Sequence, residues 1–401
     1  MDLELFQNAD MGDLVPISGS LPGGATWEHK AFLPRPLGEA SPDLSGRAYR
    51  SVATARAALG ALDSTAQRLP NPGLFRVPTL RLEAQSTAAL EGTYEPLARV
   101  LAADETAQAN DPSLREVLNY VVVAETAVAW SGEGRLWSIP GVASLQALLV
   151  RGTASERDVS GRVRPIQVVV GRRLGADPSE PPIKAARYVP PPPGPDLEAR
   201  LRDLLGWMQT NHNAQIDPVV AAAMGHYTFE ALHPFHDGNG RLGRLLIVLH
   251  LHGAGVLAEP TLSVSPWFEA RRDEYYDALL GVSTTGEWSD WVEFFATGLA
   301  ESADETRRRM LALADIQASL KEQLQQSRMR TGNARVLVDF AVGHPTFTVA
   351  QAADALGVQY AGAKKLIDSL IELAILAPFD DRAYNRRYHA PRVMEALLGA
   401  E

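Results

Sequence analysis

Apolar residues recur at helical spacing through most of the chain. Leu197, Leu201, Leu204, Leu205 and Met208 fall on one face of a helix that Asp196 can cap. The same period runs through Val219–Ala231 and resumes over Leu242–Leu251, with a polar loop at 233–240 between them. Further helices are predicted over Ala48–Leu69, Leu80–Leu90, Ser113–Ala129, Val142–Val150, Trp267–Leu280 and Trp288–Gln326. Asn71-Pro72-Gly73 closes the first of these and Gly92 stops the second. Residues 158–189 differ: Arg164–Val170 and Ala185–Val189 read as two short strands around a Gly/Pro-rich loop, ended by the stiff run Pro190–Pro193. Residues 1–45, rich in Pro and Gly, read as an irregular lead-in. In the tail, helices over Ala334–Val342, from a Thr348 cap to Leu356, and over Tyr360–Leu373 precede a wing-like segment, Ile375–His389. The chain is therefore expected to be mostly α, with one small β-hairpin in its centre and a C-terminal winged helix.

Composition narrows the picture. At roughly 150 residues per domain, 401 residues suggest two or three domains. Apolar residues are 46% and charged residues 21%, which excludes wholesale disorder. The net charge of −10 argues against a body built to coat nucleic acid or an anionic membrane. With no cysteine, thiolate metal sites, Fe–S clusters and thiol nucleophiles are excluded together. Met1–Asp10 has no apolar stretch of an export signal, and the most apolar run, Leu245–Leu257, is too short for a bilayer. The expected location is the cytoplasm.

The most unusual local sequence is His233-Pro234-Phe235-His236-Asp237-Gly238-Asn239-Gly240-Arg241-Leu242-Gly243-Arg244. A helix ends at a histidine, a proline fixes the exit and a phenylalanine can anchor the loop. The glycines allow successive backbone N–H groups to converge, and the next helix adds the positive end of its dipole. Such a nest suits phosphate. Arg241 and Arg244, three apart, can clamp polyphosphate oxygens, and Asp237 can hold Mg²⁺ against them. His233, at the mouth, is placed to take a proton from an attacking hydroxyl. Residue types alone leave two other readings open. One is an ordinary structural turn; the other is a zinc site built from His226, His233, His236 and Asp237.

The run 233–244 resembles the Fic signature H-P-F-x-[DE]-G-N-G-R-x-x-R at every defined position. The resemblance implies a Fic-type helical core that transfers AMP from ATP, with Mg²⁺, to a Ser, Thr or Tyr hydroxyl of a target protein. It implies that His233 is the general base and Asp237 the metal ligand. ATP would lie along Gly238, Asn239, Gly240, Arg241, Leu242, Gly243 and Arg244. Residues 81–92, with Thr87, Glu91 and Gly92, resemble the family's inhibitory motif [ST]-x-x-x-E-[GN]. On that basis Glu91 is expected to pair with Arg244 and occupy the γ-phosphate space. The hairpin at 168–189 resembles the Fic flap, which pins a target segment by strand addition. Its Val168-Val169-Val170 departs from the aromatic that relatives often carry. Of Glu274-Tyr275-Tyr276, Tyr276 is the expected contact to the nucleotide base.

The resemblance implies an organisation in four parts. Residues 1–112 would form an N-terminal helical domain with the inhibitory motif, 113–305 the Fic core, 306–330 a linker helix and 331–401 the winged helix. DNA binding by the tail would rest on Lys364, Lys365, Arg382, Arg386 and Arg387. With seven bases against eight acids, however, the tail nets −1, and protein docking or support of a homodimer is the favoured role. Two alternatives remain. The same site can remove AMP from a modified protein, or the chain is a winged-helix DNA-binding regulator whose loop senses nucleotide.

Overall fold

The computed structural model describes residues 1–6, 11–20, 26–69, 71–103, 111–131, 135–327, 332–380 and 385–399. An antiparallel hairpin, β1 (Gly12–Ser20) and β2 (Thr26–Pro34), leads to α1 (Gly46–Arg68), α2 (Arg76–Leu90) and α3 (Leu97–Ala102). Next come α4 (Pro112–Ser131) and α5 (Ile139–Val150), then a second hairpin, β3 (Val170–Arg172) and β4 (Ala186–Tyr188), with one helical turn between its strands, α6 (Pro182–Ala185). Helices α7 (Pro195–Gln209), α8 (Pro218–Leu232), α9 (Asn239–Gly253), α10 (Ser265–Ala270), α11 (Arg272–Thr285) and the long α12 (Ser289–Gln326) follow. The tail consists of α13 (Gly332–Gly343), β5 (Phe347–Thr348), α14 (Val349–Leu356), α15 (Tyr360–Glu372), β6 (Ala377–Pro378), β7 (Arg387–His389) and α16 (Pro391–Leu398). Its three strands form a sheet in the order β5-β7-β6. The chain divides into two compact units. One comprises Met1–Leu59, Asn119–Pro260 and Trp267–Glu301; the other comprises Gly60–Leu118, Thr261–Pro266 and Ser302–Glu401.

The first unit is built around α8, in which every residue except Glu230 is buried. A helix apolar all round has no solvent face and must lie at a centre. It packs against α7 and α9, and the five apolar residues of α7 named above are all buried. Asn239 through Leu251 of α9 are buried as well. β2 reaches this core: Phe32 stacks near Phe6 and Tyr188, at 5.3 and 6.1 Å between ring centres, and its N–H donates to Val189 O at 2.9 Å.

In the second unit, Arg81 of α2 donates to the carbonyls of Val100 and Leu101 at 2.8 and 2.7 Å. Glu83, two residues on, is buried. Its carboxylate accepts from Ser263 Oγ at 2.8 Å, from Ser265 N at 2.9 Å and from Ser265 Oγ at 2.5 Å. In the tail, Thr348 caps α14 through a capping box with Gln351.

Four expectations change. Residues 12–20 and 26–34 pair as two antiparallel strands instead of an irregular lead-in, so the small hairpin at the centre is not the only sheet. The first flap strand is Val170–Arg172, which shares only Val170 with the expected run 164–170, and Arg164 N donates to Pro234 O instead of to a neighbouring strand. Asp196 lies inside the first turn of α7, which starts with Gly194 as N-cap and Pro195 at its first position. The predicted helix 267–280 is broken at Arg271, whose φ of −126° and ψ of 37° are not helical. Arg382 lies outside the described residues. Among the described residues no helix is long and apolar enough to cross a membrane.

Candidate functional site

The loop 233–244 lies wholly in the first unit, between the C-terminus of α8 and the start of α9. His233 caps α8 in the left-handed region, φ 46° and ψ 59°, with its N–H on Phe229 O. A side chain there costs roughly 1–2 kcal/mol, so the surroundings must hold the turn. Phe235 is fully buried, as an anchor should be. Asn239 Oδ1 accepts from Phe235 N and its Nδ2 donates to Phe235 O, both at 2.9 Å, which closes the loop on itself. Its side chain is thereby used on the loop, and its backbone N–H lies in the first turn of α9. Gly238, at φ 84°, is the N-cap of α9, and a Cβ there would stand 2.9 Å from Leu149 Cδ2. The α9 N-terminus therefore begins at a residue that must be glycine, with its early N–H groups unused by the helix.

The carboxylate of Asp237 is held on both oxygens. Oδ1 accepts from Arg241 Nη2 at 2.6 Å and Oδ2 from Ser155 Oγ at 2.7 Å. Gln146, buried on α5, donates to Asp237 O at 3.1 Å and accepts from Gly161 N at 2.7 Å. Arg241 and Arg244 are both buried. Arg241 is thus brought onto Asp237, while Arg244 lies close enough to influence His226. Burial first, then the Arg244 charge, pushes the His226 imidazole down to about 3. His226 Nε2 meets the Tyr275 hydroxyl at 2.7 Å. Tyr275 is buried, whereas Tyr276 is half-buried with the Arg272 guanidinium 5.9 Å from its ring centre.

Among the described residues no three His, Cys, Asp or Glu side chains converge on a point that could hold a metal ion. His226 is buried and His236 exposed, so the four-residue zinc reading is not met. Mg²⁺ is different: it keeps most of its waters and needs only one or two carboxylates beside substrate phosphates. The single half-buried Asp237, oriented on both oxygens, fits that requirement.

Sequence reasoning missed Arg164. It is 1% exposed, and among the described residues it has no carboxylate within ion-pair distance. Its Nε donates to His233 O at 2.8 Å, Nη1 to Ile166 O at 3.0 Å, and Nη2 to Pro191 O at 2.5 Å and Leu232 O at 3.5 Å. Burial lowers its guanidinium to about 10, which leaves it charged at neutral pH. Tyr188 of β4 donates to the adjacent carbonyl, Ala231 O, at 2.9 Å. A cation and a hydroxyl thus close the negative end of α8. A charged residue at the head of the apolar run 165–170 was the one signal available. Ser155 and Gln146 carried none, since their partners lie 82 and 91 positions away.

Residues 49–129 match the Fic/DOC family N-terminal model, and residues 141–251 match the Fic/DOC family model. Protein adenylyltransferase Fic of Culex quinquefasciatus is 34% identical over 140 residues, which is 35% of this chain and 25% of that protein. Protein adenylyltransferase fic-1 of Caenorhabditis elegans is 34% identical over 137 residues, 34% of this chain and 22% of that protein. The match spans about a quarter of the length of these curated relatives. A solved Fic family protein from Desulfovibrio desulfuricans G20 has the same fold, with a TM-score of 0.53 at 22% identity, over 88% of this chain and 98% of that one.

Proposed function

Over residues 49–129 and 141–251 the chain belongs to the Fic/DOC family, and from that premise we propose that it transfers AMP from ATP to a Ser, Thr or Tyr hydroxyl of a protein target. One observation carries the reading. The left-handed turn at His233, the doubly held Asp237 and the glycine-started N-terminus of α9 occur within seven consecutive residues, 233–239. A base, a carboxylate for a cation and a cluster of N–H donors are the groups that phosphoryl transfer requires.

The target oxygen attacks the α-phosphorus and forms a new P–O bond. His233 takes the hydroxyl proton, and the bond from the α-phosphorus to the bridging oxygen breaks, releasing pyrophosphate. The N–H groups at the start of α9 and the buried Arg244 stabilise charge on the phosphates. Asp237 is the residue that would hold Mg²⁺, which supplies charge neutralisation for the triphosphate. The flap, residues 168–189, would present the target segment, and Tyr276 would border the base. Glu91 would restrain the site as an inhibitory residue with Thr87 one turn before it; this part rests on the sequence of residues 81–92. We read the tail as a winged helix serving protein contacts or a homodimer.

The test is label transfer from α-labelled ATP with Mg²⁺, comparing the unsubstituted chain, Glu91→Gly and Glu91→Gly/His233→Ala. Label on protein with Glu91→Gly alone is the expected result. Equal labelling by the double variant would remove His233 from the role of base. No protein labelling by any of the three, with cell lysate added as a source of targets, would overturn the transferase reading.

A further inference from the structure

The left-handed turn at His233 needs an explanation. Strained backbone persists only where its surroundings over-determine it. Beside the Asn239–Phe235 closure, one residue gathers the carbonyls of the turn. Through its side chain and its own N–H, Arg164 bonds three consecutive carbonyls, Leu232 O, His233 O and Pro234 O. The same guanidinium bonds Ile166 O, at the root of the first flap strand, and Pro191 O, just beyond the second. Tyr188, within the flap, bonds the next carbonyl back along α8, Ala231 O. All of these residues belong to one unit.

A buried cation spent on carbonyls alone is a poor device for stability, because apolar side chains often replace buried charges without loss. It is a good device for register. The guanidinium is planar, and its donors point in fixed directions that an ammonium cannot reproduce. We propose that Arg164 is a positioning residue: it fixes the turn that carries His233 against both roots of the flap, so that an acceptor hydroxyl presented by the flap meets the imidazole in line. The proposal rests on the transferase reading for its kinetic consequence, but its structural consequence stands apart from it.

Loss of Arg164 should therefore leave nucleotide affinity unchanged and lower the turnover of transfer. A misplacement of about 1 Å costs on the order of 100-fold. The experiment uses the full chain with Glu91→Gly, alone and combined with Arg164→Met or Arg164→Lys. Its first readout is the ¹⁵N-labelled imidazole signal of His233, assigned by its loss in His233→Ala. The expected result is a shifted or broadened His233 signal in Arg164→Met, with a smaller change in Arg164→Lys. ATP affinity should be retained and turnover reduced in the same order. If Arg164→Met does not fold, Arg164→Lys carries the test, since it keeps the charge and loses the fork. An unmoved His233 signal in a folded variant overturns the proposal, as does turnover that falls only in parallel with ATP affinity. If the Glu91→Gly chain transfers no label, the transferase reading fails, and the His233 signal still decides the role of Arg164.

Discussion

On the proposed reading, the histidine at the end of α8 serves chemistry at the expense of the backbone. Glycine is the residue that this left-handed position favours, and any Cβ is penalised by about 1 kcal/mol relative to it. His233→Gly and His233→Ala should both lack transferase activity. They should not be equally stable: the glycine variant should resist denaturant more than the alanine variant by about 1 kcal/mol. Equal unfolding midpoints would mean that the turn is not strained. Much of this loop was legible beforehand, because His-Pro ends a helix, Phe235 is an apolar residue in a polar loop, and Gly238-Asn239-Gly240 announces a tight entry into the next helix. The binding of its carbonyls by Arg164 was not. Arg164 meets His233 across 69 positions, and no local pattern encodes a contact of that span.

At the scale of elements, the two most buried helices each enclose a histidine that stays neutral. Burial pushes His226 of α8 down to about 3 and His250 of α9 down to about 4. In the unfolded chain both return to about 6.5. Between those values the unfolded state binds more protons than the folded one. Stability is therefore complete above about pH 6.5 and falls as the pH drops toward 4. Each histidine contributes a slope of up to about 1.4 kcal/mol per pH unit. Urea unfolding at pH 7 and pH 5 should show the lower midpoint at pH 5, and His250→Gln should flatten the difference. A midpoint independent of pH over this range would contradict the assignment. The helices themselves were readable because their apolar period is strong and their ends are marked. The β1–β2 hairpin was hidden by Pro16, which interrupts its run; a proline is tolerated in β1 because, among the described residues, that strand pairs with β2 alone. The first flap strand was overread because an apolar run has the same appearance whether or not its N–H groups find a ladder.

For the whole molecule, the net charge of −10 and the tail's balance of −1 set the expected behaviour toward polyanions. The full chain should leave a DNA duplex unshifted at about 10 nM protein in physiological salt, well below the 10⁻⁴–10⁻⁶ M range of ordinary non-specific binding. A sequence-selective, salt-steep shift would restore the regulator reading. The three helices of the tail were legible from Thr348 and the spacing of apolar residues; the short strand Phe347–Thr348 and the last helix, Pro391–Leu398, were not anticipated. Nor was the interleaving of the two units, since six residues, Thr261–Pro266, are grouped with a partner far away in sequence.

The interleaving also orders folding in time. Glu83 is held by Ser265, made 182 residues later. At synthesis rates of roughly 5–20 residues per second, the carboxylate waits about ten to forty seconds for its partner. While the chain is being made, α2 therefore carries a solvated charge on a face that will later be sealed. The second unit, which also includes Ser302–Glu401, closes later still, so the chain spends at least that interval with α2 open to chaperones and proteases.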